Sequence, residues 1–208
     1  MSLSDEQIFT AIRDRRGSGL TQAHVDAVNG IMYPAPAPTA LAWGAKVSPA
    51  FRDKVRAIAA RLGCDPSDLM SCMAWESGRT FSPSVKNMAG SGATGLIQFM
   101  PATAKGLGTT VEKLAALTAE QQLDWVEAYF QPYKGRLSTL ADLYMAILWP
   151  AAVGKPLEHV LWDKATRPTT YRQNAGLDAN KDGRITKAEC AAKLYAMKAA
   201  GQQPENMA

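Results

Sequence analysis

A mainly α-helical fold is predicted by three features of this sequence: helix start signals recur along it, apolar residues fall three and four apart, and no alternating run suggests a convincing sheet. The clearest start is Asp65-Pro66, with Asp68 at the third helical position. Thr118 with Gln121 and Thr139 with Asp142 are each spaced as a capping box. A length of 208 residues allows one well-buried domain with appendages. Hydrophobic residues at 47% and charged residues at 20% give the balance of an ordinary globular protein. The longest apolar run, Leu143 to Gly154, is broken by Pro150 and is far short of a bilayer span, so no membrane insertion is expected.

Taken in order, residues 4–32 read as two short helices. Ile8, Phe9 and Ile12 share one face of the first, Gly17-Ser18-Gly19 end it, and Thr21 caps a second with Val25, Val28, Ile31 and Met32 inward. Prolines at 34, 36 and 38 then impose a stiff, extended connector. Residues 1–40 are therefore expected to be a helical hairpin and linker, either an arm on the main domain or a separate binding module. A net charge of −1 and little apolar surface favour the arm. The next helix spans 49–62, with Phe51, Val55, Ile58, Ala59 and Leu62 on one face and Gly63 as its stop. Further helices are expected from Pro66 to Ser77, from Thr110 to Leu117, from Thr118 to Phe130 and from Thr139 to Trp149, where Pro150 ends the last. Leu123, Val126, Tyr129 and Phe130 read as core.

One residue breaks the pattern. The stripe of the helix starting at Pro66 reads Leu69, Cys72, Met73, and its next member is Glu76. A carboxyl on a buried face loses hydration of its charged form, so its pKa rises and it can donate a proton near neutral pH. The competing reading is a last-turn acid swung to solvent by Gly78. Downstream, Gly90, Gly92 and Gly95 precede the apolar stretch Leu96-Ile97-Gln98-Phe99, and Pro101 opens a short helix. Glycines permit close approach of backbone to a ligand, and a lone glutamine among apolar residues has a specific use for its amide.

Glu76-Ser77, Phe81-Ser82-Pro83, Gly92-Ala93-Thr94-Gly95-Leu96-Ile97-Gln98 and Pro101-Ala102-Thr103-Ala104 together resemble the catalytic signature of the soluble lytic transglycosylases, relatives of goose-type lysozyme. The resemblance implies a lysozyme-like catalytic domain, placed at 41–165. It implies peptidoglycan as substrate and Glu76 as the catalytic acid, with Ser77, Gln98 and Phe99 among the residues that meet substrate. It implies cleavage between N-acetylmuramic acid and N-acetylglucosamine, the same glutamate then accepting the C6-hydroxyl proton as a 1,6-anhydro ring closes. An inverting hydrolase needs a second carboxylate to activate water. Asp124, Glu127 and Asp142 have surface or capping explanations, which favours transglycosylation over the alternative of a hydrolytic muramidase. A non-catalytic wall-binding phage structural protein is the rival from another class, and the retained Glu76 and Gln98 argue against it. The family's Ala-Tyr-Asn stretch is missing: Leu148 falls where its tyrosine would be, with Tyr144 one turn earlier on the same face. Tyr144 either substitutes for it at the substrate or is an interfacial aromatic with its hydroxyl in water.

The second strong pattern is Asp178-Ala-Asn180-Lys-Asp182-Gly183-Arg184-Ile185-Thr186-Lys-Ala-Glu189, which resembles an EF-hand loop. Side-chain oxygens from Asp178, Asn180, Asp182 and Glu189, with the Arg184 carbonyl, would hold a structural Ca²⁺, while the chemistry needs no cofactor. The other reading is a capping box from Thr186 to Glu189 after a polar turn. Pro168 and Gly176 leave little room for a regular incoming helix, and no partner hand exists. Residues 166–208 are expected as an EF-hand-like segment and final helix.

The net charge of +4 suits an anionic polymer, but no basic cluster interleaved with aromatics points to nucleic acid. Three cysteines without metal spacing predict reduced, mostly core residues. The first residues lack the basic-then-apolar order of a secretory signal. Together with the resemblance, this suggests a monomeric bacteriophage endolysin or virion-borne lysin, made in the host cytoplasm and reaching periplasmic peptidoglycan after release or delivery.

Overall fold

The computed structural model describes residues 40–87 and 90–208, so the expected N-terminal hairpin and linker lie outside the described residues. Residues 40–208 form one compact unit, mainly helical as predicted. Helix α1 (Pro49–Leu62) starts at Ser48, whose hydroxyl accepts from the Phe51 N–H, and stops at Gly63 in the left-handed region. Helix α2 (Pro66–Glu76) starts at Asp65, whose carboxylate accepts from the Asp68 N–H. Short helices α3 (Pro101–Gly106) and α4 (Val111–Ala115) lead to α5 (Ala119–Phe130), whose Thr118–Gln121 capping box is complete. Helix α6 (Leu140–Leu148) ends before Pro150.

The second expected capping box is only half formed. Thr139 caps α6 by accepting from the Asp142 N–H, but the Asp142 carboxylate turns to the Thr139 hydroxyl (2.8 Å), the Gly154 N–H (2.7 Å) and the Lys187 ammonium (2.5 Å). A buried lysine needing an anion accounts for this, since its charge unpaired in the core would cost several kcal/mol. Lys187 is 2% exposed and also donates to the Ala152 and Lys155 carbonyls.

Strand β1 (Val160–Asp163) pairs antiparallel with β2 (Arg184–Thr186), and helix α7 (Pro168–Asn174) lies between them in the chain. The incoming helix is short, seven residues, where Pro168 and Gly176 were expected to leave little room for a regular one. Proline at the first helical position gives up no hydrogen bond and presets the helical φ. The final helix α8 (Lys187–Gly201) packs on α2 and α6, burying Cys190, Leu194 and Met197 in the common core, so residues 166–208 share one interior with 41–165. Lys198 pins it to Asp68 of α2 at 2.6 Å, and the Trp43 indole N–H donates to the Met197 carbonyl at 3.1 Å. All three cysteines are free, Cys72 and Cys190 buried and Cys64 half-buried.

Candidate active site

Glu76 is the last residue of α2, and the backbone beyond it fixes where its side chain goes. The Arg79 N–H returns to the Ala74 carbonyl (2.7 Å) and the Gly78 N–H to the Trp75 carbonyl (3.3 Å), with Gly78 at φ 61°. This is a Schellman stop, which needs a residue without Cβ in the left-handed position. Ser77 is 1% exposed, and its hydroxyl accepts from the Phe81 N–H at 3.0 Å. Its visible work is to hold the turn after the acid. Glu76 itself is half-buried, not swung to solvent. Burial pushes its carboxyl up to about 7, and the carbonyl end of α2 acts in the same direction. Among the described residues it makes no hydrogen bond and no ion pair.

The signature loop is built separately and held by two glutamines. Thr94 and Phe99 exchange backbone hydrogen bonds (3.1 and 2.9 Å), closing residues 94–99 into a tight loop, and the Gly95 N–H reaches the Val85 carbonyl (2.8 Å). Gln98, at the strained φ of 53°, donates through its amide to the Val85 (3.2 Å) and Gly95 (3.1 Å) carbonyls. The lone polar residue of the run is thus a brace for the loop, with its side-chain carbonyl left over. Phe99, expected to meet substrate, is 1% exposed and packs edge-on against Tyr129. Its ring belongs to the core, because the Thr94–Phe99 pairing turns it inward.

The second glutamine was not singled out in the sequence. Gln122 of α5 is fully buried; its side-chain carbonyl accepts from the Leu96 N–H (2.7 Å), and its amide donates to the Pro83 (3.0 Å) and Leu114 (2.8 Å) carbonyls. It bonds three backbone groups from three segments, the turns at Pro83 and Leu96 and the end of α4 at Leu114. A Cβ on Gly95 would collide with its carboxamide, which explains that glycine independently of its φ of 86°. The signal was present: Gln122 precedes Val126 and Tyr129 by four and seven residues, a polar side chain on an apolar stripe, like Glu76 on α2.

Two tyrosines feel the charge of the acid. Tyr144 is 4% exposed, and desolvation and the Glu76 charge push its pKa well up. Tyr129, read from sequence as core, is raised to about 12 by desolvation and by the charges of Tyr133 and Glu76. Its hydroxyl donates to the Ala146 carbonyl at 2.7 Å. That carbonyl lacks its helical partner because residue 150 is a proline without an N–H. The proline that ends α6 thereby creates the acceptor that anchors Tyr129 beside the site.

The other acids weighed from sequence are committed elsewhere. Asp124 pairs with Lys54 (2.7 Å), Glu127 with Arg61 (2.6 Å) and Asp142 with Lys187.

In the 178–189 loop, Lys181 and Gly183 take positive φ (59° and 86°), and Ile185 pairs with Trp162 of β1. Most of its oxygens serve the loop itself. Glu189 accepts from Thr186 and from the Ala179 N–H, completing the capping box; Asp182 accepts from Asn180 and from the Arg184 N–H. Asp178 accepts from the Tyr171 hydroxyl (2.6 Å) and the Gly183 N–H (3.0 Å) through one oxygen, while its other oxygen is buried without a partner. Among the described residues no three His, Cys, Asp or Glu side chains gather closely enough to hold a metal ion as they stand.

No curated protein matches the chain. A family model matches from Asp53 to Gly135, taking in most of α1, all of α2 to α5 and the signature loop, and ending before α6 and the calcium-type loop. Residues 53–135, which carry Glu76, Gln98, Gln122 and Tyr129, are similar to the Transglycosylase SLT domain.

Proposed function

We propose that this protein is a peptidoglycan lytic transglycosylase in which Glu76 works alone, first as acid and then as base. The observation that carries the reading is the state of Glu76: a half-buried carboxyl, raised to about 7 and without a partner among the described residues, while Asp124, Glu127 and Asp142 are each ion-paired. Protonated, it gives its proton to the glycosidic oxygen as the bond to the muramoyl C1 breaks. The carboxylate left behind takes the proton of the C6 hydroxyl, whose oxygen closes on C1, so the acid is restored with no water consumed. Tyr129, hydrogen-bonded to the Ala146 carbonyl, and Tyr144 both feel the Glu76 charge, and their burial helps to keep the carboxyl desolvated. Ser77 holds the turn that follows the acid, and Gln98 and Gln122 brace the signature loop.

The reading extends to a bacteriophage lysin acting on the periplasmic wall, supported by a net charge of +4 that favours an anionic polymer. It also includes a structural Ca²⁺ in the 178–189 loop. The donor set is entirely hard oxygen, and the unpartnered Asp178 oxygen suits a cation. Asp178, Asn180, Asp182, the Arg184 carbonyl and Glu189 would hold it. None of these residues borders Glu76, so the ion serves folding and not the reaction.

Mass spectrometry of muropeptides released from purified sacculi tests the central proposal. The expected products end in 1,6-anhydromuramic acid, lighter by one water than hydrolytic ends. Reducing muramic acid as the main end would replace the proposal with a muramidase, and wall binding without release would replace it with an adhesion protein.

A further inference from the structure

A groove of about 610 Å³ opens between the turn after α6 and the β1–β2 ribbon, lined among others by Trp149, Lys155, His159, Asp163, Arg167 and Arg184. Neither Glu76, Ser77 nor Gln98 lines it. Its charge is unbalanced: three permanent cations face one acid. Asp163 is engaged by Arg184 at 3.2 Å and also accepts from the Ala165 and Thr166 N–H groups, so it neutralises neither Lys155 nor Arg167. Among the described residues the Lys155 ammonium has no hydrogen-bond or ion-pair partner. The Arg167 guanidinium lies over the Trp149 ring, 5.6 Å from its centroid, without a carboxylate. Trp149 is in turn held edge-on by Trp162, centroids 5.6 Å apart. Stacking fixes the plane of a guanidinium while leaving its N–H edges free, which is how arginine presents a fork to a carboxylate.

We infer that this groove binds the carboxylate-bearing stem peptide of the substrate strand, with Arg167 and Lys155 on its carboxylates and Trp149 against its apolar carbons. The inference rests on the proposed activity for the identity of the strand, and on the groove alone for its chemistry. Stem peptides are the anionic part of peptidoglycan, whereas the glucosamine backbone offers only neutral hydroxyls and amides. A polyphosphate chain would require a longer file of cations than these three, interrupted as they are by Asp163. Because both free cations are solvent-exposed, each contributes modestly, and the groove acts by raising the local concentration of strands at the enzyme.

The test is equilibrium binding of the free L-alanyl-γ-D-glutamyl-meso-diaminopimelate peptide to the intact protein, read by tryptophan fluorescence and requiring no turnover. Lys155→Ala with Arg167→Ala is expected to weaken it on the order of tenfold. The fully esterified peptide should bind as weakly to the wild type, and chitotetraose binding should be the same in both proteins. Thermal melting of the double variant checks that the exposed substitutions leave the fold intact. On sacculi the same variant should raise KM with kcat unchanged. Equal binding of the free and esterified peptides, an unaffected double variant, or tripolyphosphate binding more tightly than the peptide would each overturn the inference. A catalytically silent protein that still binds the free peptide would refute the proposed reaction while sustaining the groove.

Discussion

The segment around Glu76 and the loop from Asp178 to Glu189 both turn on carboxylates, one in the first and three in the second, yet they treat them in opposite ways. At the end of α2 a single carboxyl is desolvated and given nothing to bond to. In the loop nearly every carboxylate oxygen accepts from the chain's own N–H or O–H groups, and one oxygen of Asp178 is the exception. An unsatisfied acid is unstable and therefore available for chemistry; satisfied acids shape a turn and give up that role unless a cation outcompetes the turn. The first arrangement reads as a reaction centre, the second as a structural device.

The largest effect that can break this contrast is on turnover. Glu76→Gln keeps the shape but has no carboxylic proton, so release of soluble muropeptides should fall by at least about 10²-fold while the circular-dichroism spectrum is unchanged. Substantial clearing by the folded variant would remove Glu76 from the reaction.

Next in size is the ion pair that ties the end of the loop to α6. Lys187, the first residue of α8, reaches Asp142 of α6 from the end of the calcium-type loop. Lys187→Met strands a carboxylate against the core and should cost about 3–5 kcal/mol, a fall in Tm of roughly 6–20 °C for a unit of this size. Adding Asp142→Asn should recover part of the loss, because the stranded charge goes with it. A single variant that melts with the wild type would mean that water already reaches the pair.

A smaller effect belongs to pH. Since the folded pKa of Glu76, about 7, lies above the ordinary value of 4.5, the folded state holds a proton that the unfolded chain has released. Stability therefore falls as pH rises from about 4.5 to 7 and levels off above, by on the order of 2–3 kcal/mol. Glu76→Gln should flatten that slope and melt higher than the wild type at pH 8. Turnover by wild type should decline as pH rises through about 7, because the donor form is the protonated one. Parallel melting curves of the two proteins from pH 4.5 to 8 would show that Glu76 is hydrated after all.

Much of this was legible in the sequence because it is written in local rules. Caps at Asp65, Thr118 and Thr186 are set by neighbours three residues away, and an acid on an apolar stripe is visible from helical spacing alone. What escaped lies in contacts between distant segments. Asp142 carries the spacing of a capping box, but a lysine 45 positions later claims its carboxylate. Phe99 stands within the signature, yet its ring faces Tyr129 of α5, and nothing local says so. Tyr129 was placed in the core by its spacing; its nearness to Glu76 follows from the carbonyl that Pro150 leaves open on another helix. Gln122 obeys the same rule that exposed Glu76, a polar residue on an apolar face, and the rule applied there finds the brace of the loop.

The smallest expected effect tests the loop itself. A Ca²⁺ ion at about 100 times its dissociation constant, itself on the order of 10⁻⁵ to 10⁻³ M for such a loop, would add roughly 2.7 kcal/mol if only the folded state bound it. The gain here should be smaller, because Glu189 must leave the Thr186 hydroxyl and the Ala179 N–H before it can ligate with both oxygens. Each such bond is worth about 1 kcal/mol, so a net gain of about 1 kcal/mol, or 2–4 °C in Tm, is expected in saturating Ca²⁺ against chelator. Glu189→Ala is a poor control, since it also breaks the cap of α8. Asp178→Asn keeps the hydrogen bonds from Tyr171 and Gly183 within reach of its carbonyl oxygen while removing the charge, and it should abolish the Ca²⁺ increment with little change in the chelated melt. An increment of zero in the wild type would leave the loop as a capped polar turn, with Asp178's unpartnered oxygen a cost it bears.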